Sequence, residues 1–194
     1  MSEPLRCDWA ENSDIERAYH DAEWGVPKHD EATLFEFLIL EGAQAGLSWR
    51  TILAKRDNFR AAFANFDPEA MARFDETDRA RLLNDAGIVR NRLKIDAAIG
   101  NARAYLALRE ACGGLAPFLW DFVDGEPIVN HWRRMQDVPA STALSDQISK
   151  ALKQRGFRFV GSTIVYAYLQ ATGLVNDHLT GCFRHAEITR APGA

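Results

Sequence analysis

The stretch from Ala18 to Trp49, AYHDAEWGVPKHDEATLFEFLILEGAQAGLSW, decides how the rest of the chain is read. It crowds together an imidazole (His20), three large aromatics (Tyr19, Trp24, Trp49), a Gly25-Val26-Pro27 turn and a carboxylate inside an apolar helix. Asp30 is a good N-cap and Glu31 suits the positive end of the helix dipole, so a helix is predicted to start there. Leu34, Leu38, Glu41 and Ala45 then recur at helical spacing, which puts Glu41 on the leucine face. An isolated buried carboxylate is costly unless something bonds it or chemistry needs it. Glu41 is therefore either bonded, to a helix end or to Ser48, or kept for a reaction.

Working outward, 194 residues make one sizeable domain or two small lobes with a proper core. Apolar content of 47% beside 26% charge is ordinary for a soluble globular protein. No apolar run approaches the ~20 residues of a membrane span. The start, MSEPLRCDWAENSD, lacks a signal peptide's apolar region, which points to the cytoplasm. Three cysteines argue against a disulfide framework and leave thiols as metal ligands or buried apolar groups. A net charge of −4 does not favour nucleic acid. Its distribution says more: Lys150, Lys153, Arg155 and Arg158 lie in an acid-free window from Gln147 to Gly161, and Arg90, Arg92 and Lys94 form a second cluster. Each patch is either a small phosphate footprint or a solvated helix face.

Punctuation predicts an all-α fold of eight to ten helices, with no internal repeat. A short helix follows Asp14 and ends before Gly25-Val26-Pro27. The Glu41 helix closes near Gly46, and Ser48 with Thr51 caps the next, with Ile52, Phe59 and Phe63 as core. Asp67-Pro68-Glu69 is a strong start signal, and a further short helix spans Thr77 to Asn84. A long helix runs from about Asn91 to Ala111 on a stripe of Ile95, Ile99, Ala102 and Leu106, stopped by Gly113-Gly114. Pro117 to Val123 reads as a short helix burying Phe118, Trp120 and Phe122. Residues 124–141 are irregular, a crossing between lobes. Ser145 caps DQISKALKQR, and the hairpin FRFVGS leads into TIVYAYLQA, stopped at Gly173. The expected organisation is a single two-lobed domain over 1–185, with a helix–hairpin–helix at about 145–171 and a flexible tail over 186–194.

Three constellations could carry chemistry. Cys7, His20, His178 and Cys182 would satisfy a closed tetrahedral zinc site, structural because no position is left for water. His178 and Cys182 stand one helical turn apart, but Cys7 to His20 is no standard spacing, so a satisfied histidine and buried thiols remain the alternative. Cys112 reads as helix packing. The helix–hairpin–helix from Ser145 to Ala171 offers backbone amides and a helix N-terminus to phosphate, or is an ordinary αα turn. Trp9, Tyr19, Trp24 and Trp49 cluster near polar residues and turns around Glu41, which suits a stacking pocket for a base taken out of a duplex.

These residues stand in familiar company. AYHDAEWGVP, LEGAQAGLSW, DAGIVRNRLKIDAAIGNARAYL and KALKQRGFRFVGSTIVYAYLQATGLVNDH closely resemble the 3-methyladenine DNA glycosylase I family, in order, from Cys7 to about Cys182. The resemblance implies an all-α member of the helix–hairpin–helix glycosylase superfamily with a structural zinc site near the termini. Cys7, His20, His178 and Cys182 match its ligand positions, Glu41 its pocket carboxylate, and Trp9, Tyr19 and Trp49 positions around the base. Trp24 belongs to the same motif. The hairpin and its basic window make Lys150, Lys153, Arg155, Arg158 and Gly161 the candidate DNA contacts. Two departures stand out: Glu16 occupies the place of a second pocket tyrosine, either making a different contact or turning outward, and FRFVGS lacks the superfamily's paired glycines.

The implied activity is base-excision repair of double-stranded alkylated DNA by a monomer. N3-alkylated adenine is cationic, so the enzyme need only extract it, hold it and admit water. Trp49 and Tyr19 would stack on the cation. Glu41, the candidate catalytic residue, is assigned to recognition of the base edge and charge, with general-base action on water as the other role. Thr163 stands where bifunctional relatives place a lysine, so a monofunctional hydrolase is expected. The rivals are an inactive zinc-stabilised module that binds damaged DNA, and the same fold preferring another alkylated base such as guanine.

Overall fold

The computed structural model describes residues 4–190, and most of its helices begin where a side chain can satisfy the first free amides. Ser13 caps α1 (Asp14–Ala22), accepting from the Glu16 amide, so this helix starts one residue before the expected place. Asp30 caps α2 (Glu31–Gln44) and Ser48 caps α3 (Trp49–Ala62). Asp67 caps α4 (Pro68–Ala72), with Pro68 at the first helical position. Asp75 and Asp78 form a capping box on α5 (Glu76–Asn84), and Asn91 caps the long α6 (Arg92–Cys112), which Gly113 ends. α7 (Leu115–Trp120) starts without a cap of its own: Glu31, from the first turn of α2, accepts from the Leu115 and Ala116 amides at 2.8 and 2.6 Å. α8 (Ala143–Gln154) is capped by Thr142 rather than Ser145. Ser145 is instead the third helical residue of a capping box, its hydroxyl accepting from the Thr142 amide. α9 (Ser162–Ala171) and α10 (Phe183–Arg190) complete the helices among the described residues.

The core is organised on α2, where every residue from Leu34 to Ala43 except Glu36 is buried. It packs against α3, α6, α7 and α9. The only strand pairing among the described residues is β1 (Ile128–Val129), parallel to β2 (Val175–Asn176). Short as it is, this pair ties the irregular segment 124–141 to the chain that follows α9.

The sequence expectations need four corrections. The tail expected from 186 is helical through Arg190, with His185 and Ile188 buried, while residues 191–194 lie outside the described part. Cys112 is exposed rather than packed, its thiol bonding the Leu108 carbonyl of its own helix. Phe122 and Leu106 are only partly buried. His178 and Cys182 lie on an irregular turn, not a helix.

Candidate active site and metal cluster

α1 starts at its Ser13 cap and ends at the Gly25-Val26-Pro27 turn. Its last turn therefore throws Tyr19 to one side and His20 to the other, and each enters a different buried site. Gly25 has a φ of +76° and lies so close to the His178 ring that a Cβ there would come within 2.9 Å of Nε2. Only glycine fits this turn.

On the His20 side, Cys7, His20, His178 and Cys182 are all buried, with one potential ligand atom from each lying within 4.8 Å of the others. Cys182 Sγ is 3.4 Å from His20 Nε2 and 3.6 Å from His178 Nδ1, and Cys7 Sγ is 3.7 Å from His178 Nδ1. Ligands about 2.0–2.3 Å from one tetrahedral ion stand at such separations. The outer nitrogens are already engaged: His20 Nδ1 bonds the Asp21 carboxylate at 2.8 Å, and His178 Nε2 bonds the Trp24 carbonyl at 3.1 Å. Each ring is thereby held with its other nitrogen inward, the arrangement that orients metal-bound histidines. Burial keeps His178 below its ordinary value, hence neutral. The bond with Cys7, and those with His178 and His20, push the Cys182 thiol down, while the bond with Cys182 and burial push the Cys7 thiol up. The donor set suits a metal ion; two histidines merely satisfied by neighbours would have no reason to turn free nitrogens onto two thiols.

On the Tyr19 side lies a cavity of about 300 Å³, walled by Trp9, Glu16, Tyr19, Trp24, Glu41, Gln44 and Trp49, and across from α2 by Met135, Val138, Ala167, Gln170 and Asp177. The structure thus brings together all five of the expected pocket residues. Tyr19 lies between Trp9 and Trp49, at ring-centre distances of 6.3 and 5.6 Å. Trp24 stands edge-on to Trp9 at 5.1 Å and to His178 at 4.5 Å, so one aromatic wall joins the cavity to the metal cluster. Glu41 is 3% exposed, and among the described residues its carboxyl has no hydrogen-bond partner. Burial alone pushes it up to about 8. Ser48 does not bond it; that hydroxyl caps the Thr51 amide instead. Among the described residues the Tyr19 hydroxyl and the Trp49 indole N–H likewise make no hydrogen bond of good geometry, and only lean weakly on one another. Glu16 does not turn outward: it lines the cavity, and Ser13 Oγ donates to its Oε2 at 2.7 Å.

A family model for methyladenine glycosylase matches residues 9–185. This chain belongs to the methyladenine glycosylase family. It is 52% identical over 177 residues to DNA-3-methyladenine glycosylase 1 of Escherichia coli K12, covering 91% of this chain and 95% of that protein. It is also similar to solved structures of 3-methyladenine DNA glycosylase I. One has a TM-score of 0.90 at 53% identity, covering 92% of this chain and 98% of that one. Another, from Staphylococcus aureus and concerned with 3-methyladenine recognition, has a TM-score of 0.89 at 37% identity, covering 92% and 95%.

In this member of the family the expected DNA-binding residues do not all converge. Lys150 and Lys153 flank a shallow depression with Ser149 and Ser162, beside Gly161, the N-cap residue of α9. Arg155 is not part of it; its guanidinium lies 4.8 Å over the Phe118 ring and bonds the Ala151 carbonyl. Arg158 is exposed on the hairpin, and its backbone is gripped on both sides by Asn101, which accepts from its amide at 2.8 Å and donates to its carbonyl at 3.0 Å. The hairpin turns without paired glycines because Phe159 itself takes a φ of +54°, unusual for a bulky residue, while packed on Gly42 of α2. Two residues of the second basic cluster have partners in the protein. Lys94 donates to the Ala43 and Ala45 carbonyls that end α2, and Arg92 pairs with Glu76.

Sequence reasoning missed the far wall. Met135 and Val138 belong to a segment without periodicity, and Gln170 and Asp177 look like ordinary polar residues beside a helix end and a candidate metal ligand.

Proposed function

We propose that this protein removes 3-methyladenine, the base its relatives are named for, from double-stranded alkylated DNA by hydrolysis, and leaves an abasic site. The observation that carries this reading is Glu41: a buried carboxyl with no hydrogen bond among the described residues, facing an aromatic cavity. A cationic base supplies what that carboxyl lacks, both charge and N–H donors. Stacking on Trp49 and Tyr19 adds cation–π attraction to the base. Because Glu41 sits at about 8 when the cavity is empty, arrival of a cation favours its ionised form, so binding the base and losing the proton are linked. Neutral adenine gives no such return, which is how the carboxyl selects for alkylation. No lysine lines the cavity among the described residues, and Thr163 is exposed, in keeping with a monofunctional enzyme without a lyase step.

We read Cys7, His20, His178 and Cys182 as ligands of a structural Zn²⁺. With four protein ligands the ion has no open position for water and supplies cohesion, pinning residues near both ends of the chain around the aromatic wall. Lys150, Lys153, Gly161 and Arg158 would hold the DNA backbone, with Arg155 at most a peripheral contributor. The described residues up to 185 are read as one domain of two lobes around the cavity, in a cytoplasmic monomer. Among the described residues no helix is long and apolar enough to cross a membrane.

The test is chromatography of bases released from methylated duplex DNA. Release of 3-methyladenine, without a borohydride-trappable enzyme–DNA adduct, is the expected result. A folded, metal-loaded protein that binds this DNA and releases nothing would instead be a damage-binding module.

A further inference from the structure

The far wall of the cavity carries a polar device that none of the roles above uses. Asp177 is buried and accepts four hydrogen bonds. Asn130 Nδ2 and Trp132 Nε1 donate to Oδ1 at 2.7 and 2.8 Å, and Gln170 Nε2 donates to Oδ2 at 2.8 Å, alongside the Tyr166 hydroxyl. Three of these donors are N–H groups, which can only donate, and Asp177 takes part in no ion pair among the described residues. A carboxylate held by four donors is a fixed anchor. It also settles the polarity of the Gln170 amide, because only the NH₂ end can face an acceptor that has nothing to donate. The carbonyl end, Oε1, is then left without a partner among the described residues, on a side chain that lines the cavity. Gln44, the other cavity amide, is tethered only by a 3.4 Å bond to the Leu47 carbonyl and has no such anchor.

We propose that Gln170 is a specificity residue, its carbonyl a pre-set acceptor that reads the exocyclic amine of the extruded base. The inference rests on the proposed excision of 3-methyladenine and says how the pocket tells it from an alkylated guanine. The amine of an adenine ring has two N–H groups; Glu41 takes one and Gln170 the other. In a guanine ring the same place holds a carbonyl oxygen, which would meet the Gln170 oxygen acceptor to acceptor. Because the amide is locked by Asp177 it cannot rotate to offer its NH₂, so the mismatch stays unrelieved. Asp177 acts through Gln170 and is a positioning residue.

The experiment compares release of 3-methyladenine and 3-methylguanine from one sample of methylated duplex DNA by the wild type and by Gln170→Met, which keeps length and shape but removes the acceptor. Metal content and melting temperature are checked alongside. Release of 3-methyladenine is expected to slow about tenfold or more while 3-methylguanine release does not slow, so the preference collapses. Equal slowing for both bases would make Gln170 a packing residue, and an unchanged ratio would make it a bystander; either overturns the inference and leaves the proposed function standing. If the wild type releases neither base, the proposed function fails and takes this inference with it. Should Gln170→Met not fold, Gln170→Asn, which draws the same amide back by one methylene, must lower the ratio in the same direction.

Discussion

The candidate metal cluster and the base cavity are neighbours joined through Trp24, yet they treat buried polarity in opposite ways. In the cluster each histidine has its outer nitrogen bonded, and the inner atoms converge on one another. In the cavity the Glu41 carboxyl, the Tyr19 hydroxyl and the Trp49 N–H are buried with no hydrogen-bond partner among the described residues. A site that is complete in itself holds the fold together. A site that is incomplete is waiting for a ligand, and the missing bonds outline what the ligand must bring.

The most severe way to break this contrast is to open the closed site. Cys182→Ser should lose the metal and, because binding energy of a structural ion is folding energy, lower the melting temperature by more than about 10 °C with base excision lost. A variant that kept its stability without the ion would show that the cluster does not hold the termini. Next, stability should depend on pH through Glu41. Its folded value is raised to about 8 from an ordinary value near 4.5. The contribution is therefore fully present below about 4.5, where both states are protonated, and is lost as pH rises through about 8. The cost at the alkaline end is roughly 2–5 kcal/mol, measured as wild type against Glu41→Gln in denaturant melts across this window. Equal pH profiles would mean Glu41 is not desolvated. Trp49→Ala should cost ~1–3 kcal/mol of transition-state stabilisation, seen in kcat/KM for 3-methyladenine release, by removing one stacking face. Smaller still, Lys150→Ala and Lys153→Ala should each weaken binding to any duplex and reduce the salt slope by about one. Arg155→Ala should lower that slope less, since its guanidinium is held over Phe118.

The closed site was the more legible of the two in sequence, but only as a set of residue types. That His178 and Cys182 converge from an irregular turn, and that Asp21 and the Trp24 carbonyl orient the rings, depends on packing no spacing reveals. Helix starts were readable because caps are local: Asp30, Asp67 and Ser48 act within three residues. Thr142 was missed in favour of Ser145 because both belong to one capping box and local chemistry alone does not say which is the cap. Periodicity placed Glu41 on the buried face, yet whether anything bonds it is a tertiary fact. The cavity's far wall was illegible for a related reason. Met135 and Val138 are put in place by long-range bonds, chiefly the β1–β2 pair and the Trp132–Asp177 bond, across a segment with no pattern of its own. That the Arg155 guanidinium lies over the Phe118 ring is likewise a tertiary fact no spacing shows.

The contrast between a complete and an incomplete site meets its most direct test in Glu41→Gln, assayed at pH 8 for both melting temperature and release of 3-methyladenine from alkylated duplex DNA. The account predicts a protein that is more stable than the wild type and releases the base at least about a hundredfold more slowly, since a neutral amide removes the desolvated charge along with the recognition it serves. A variant that is less stable, or one that releases the base at the wild-type rate, would contradict it.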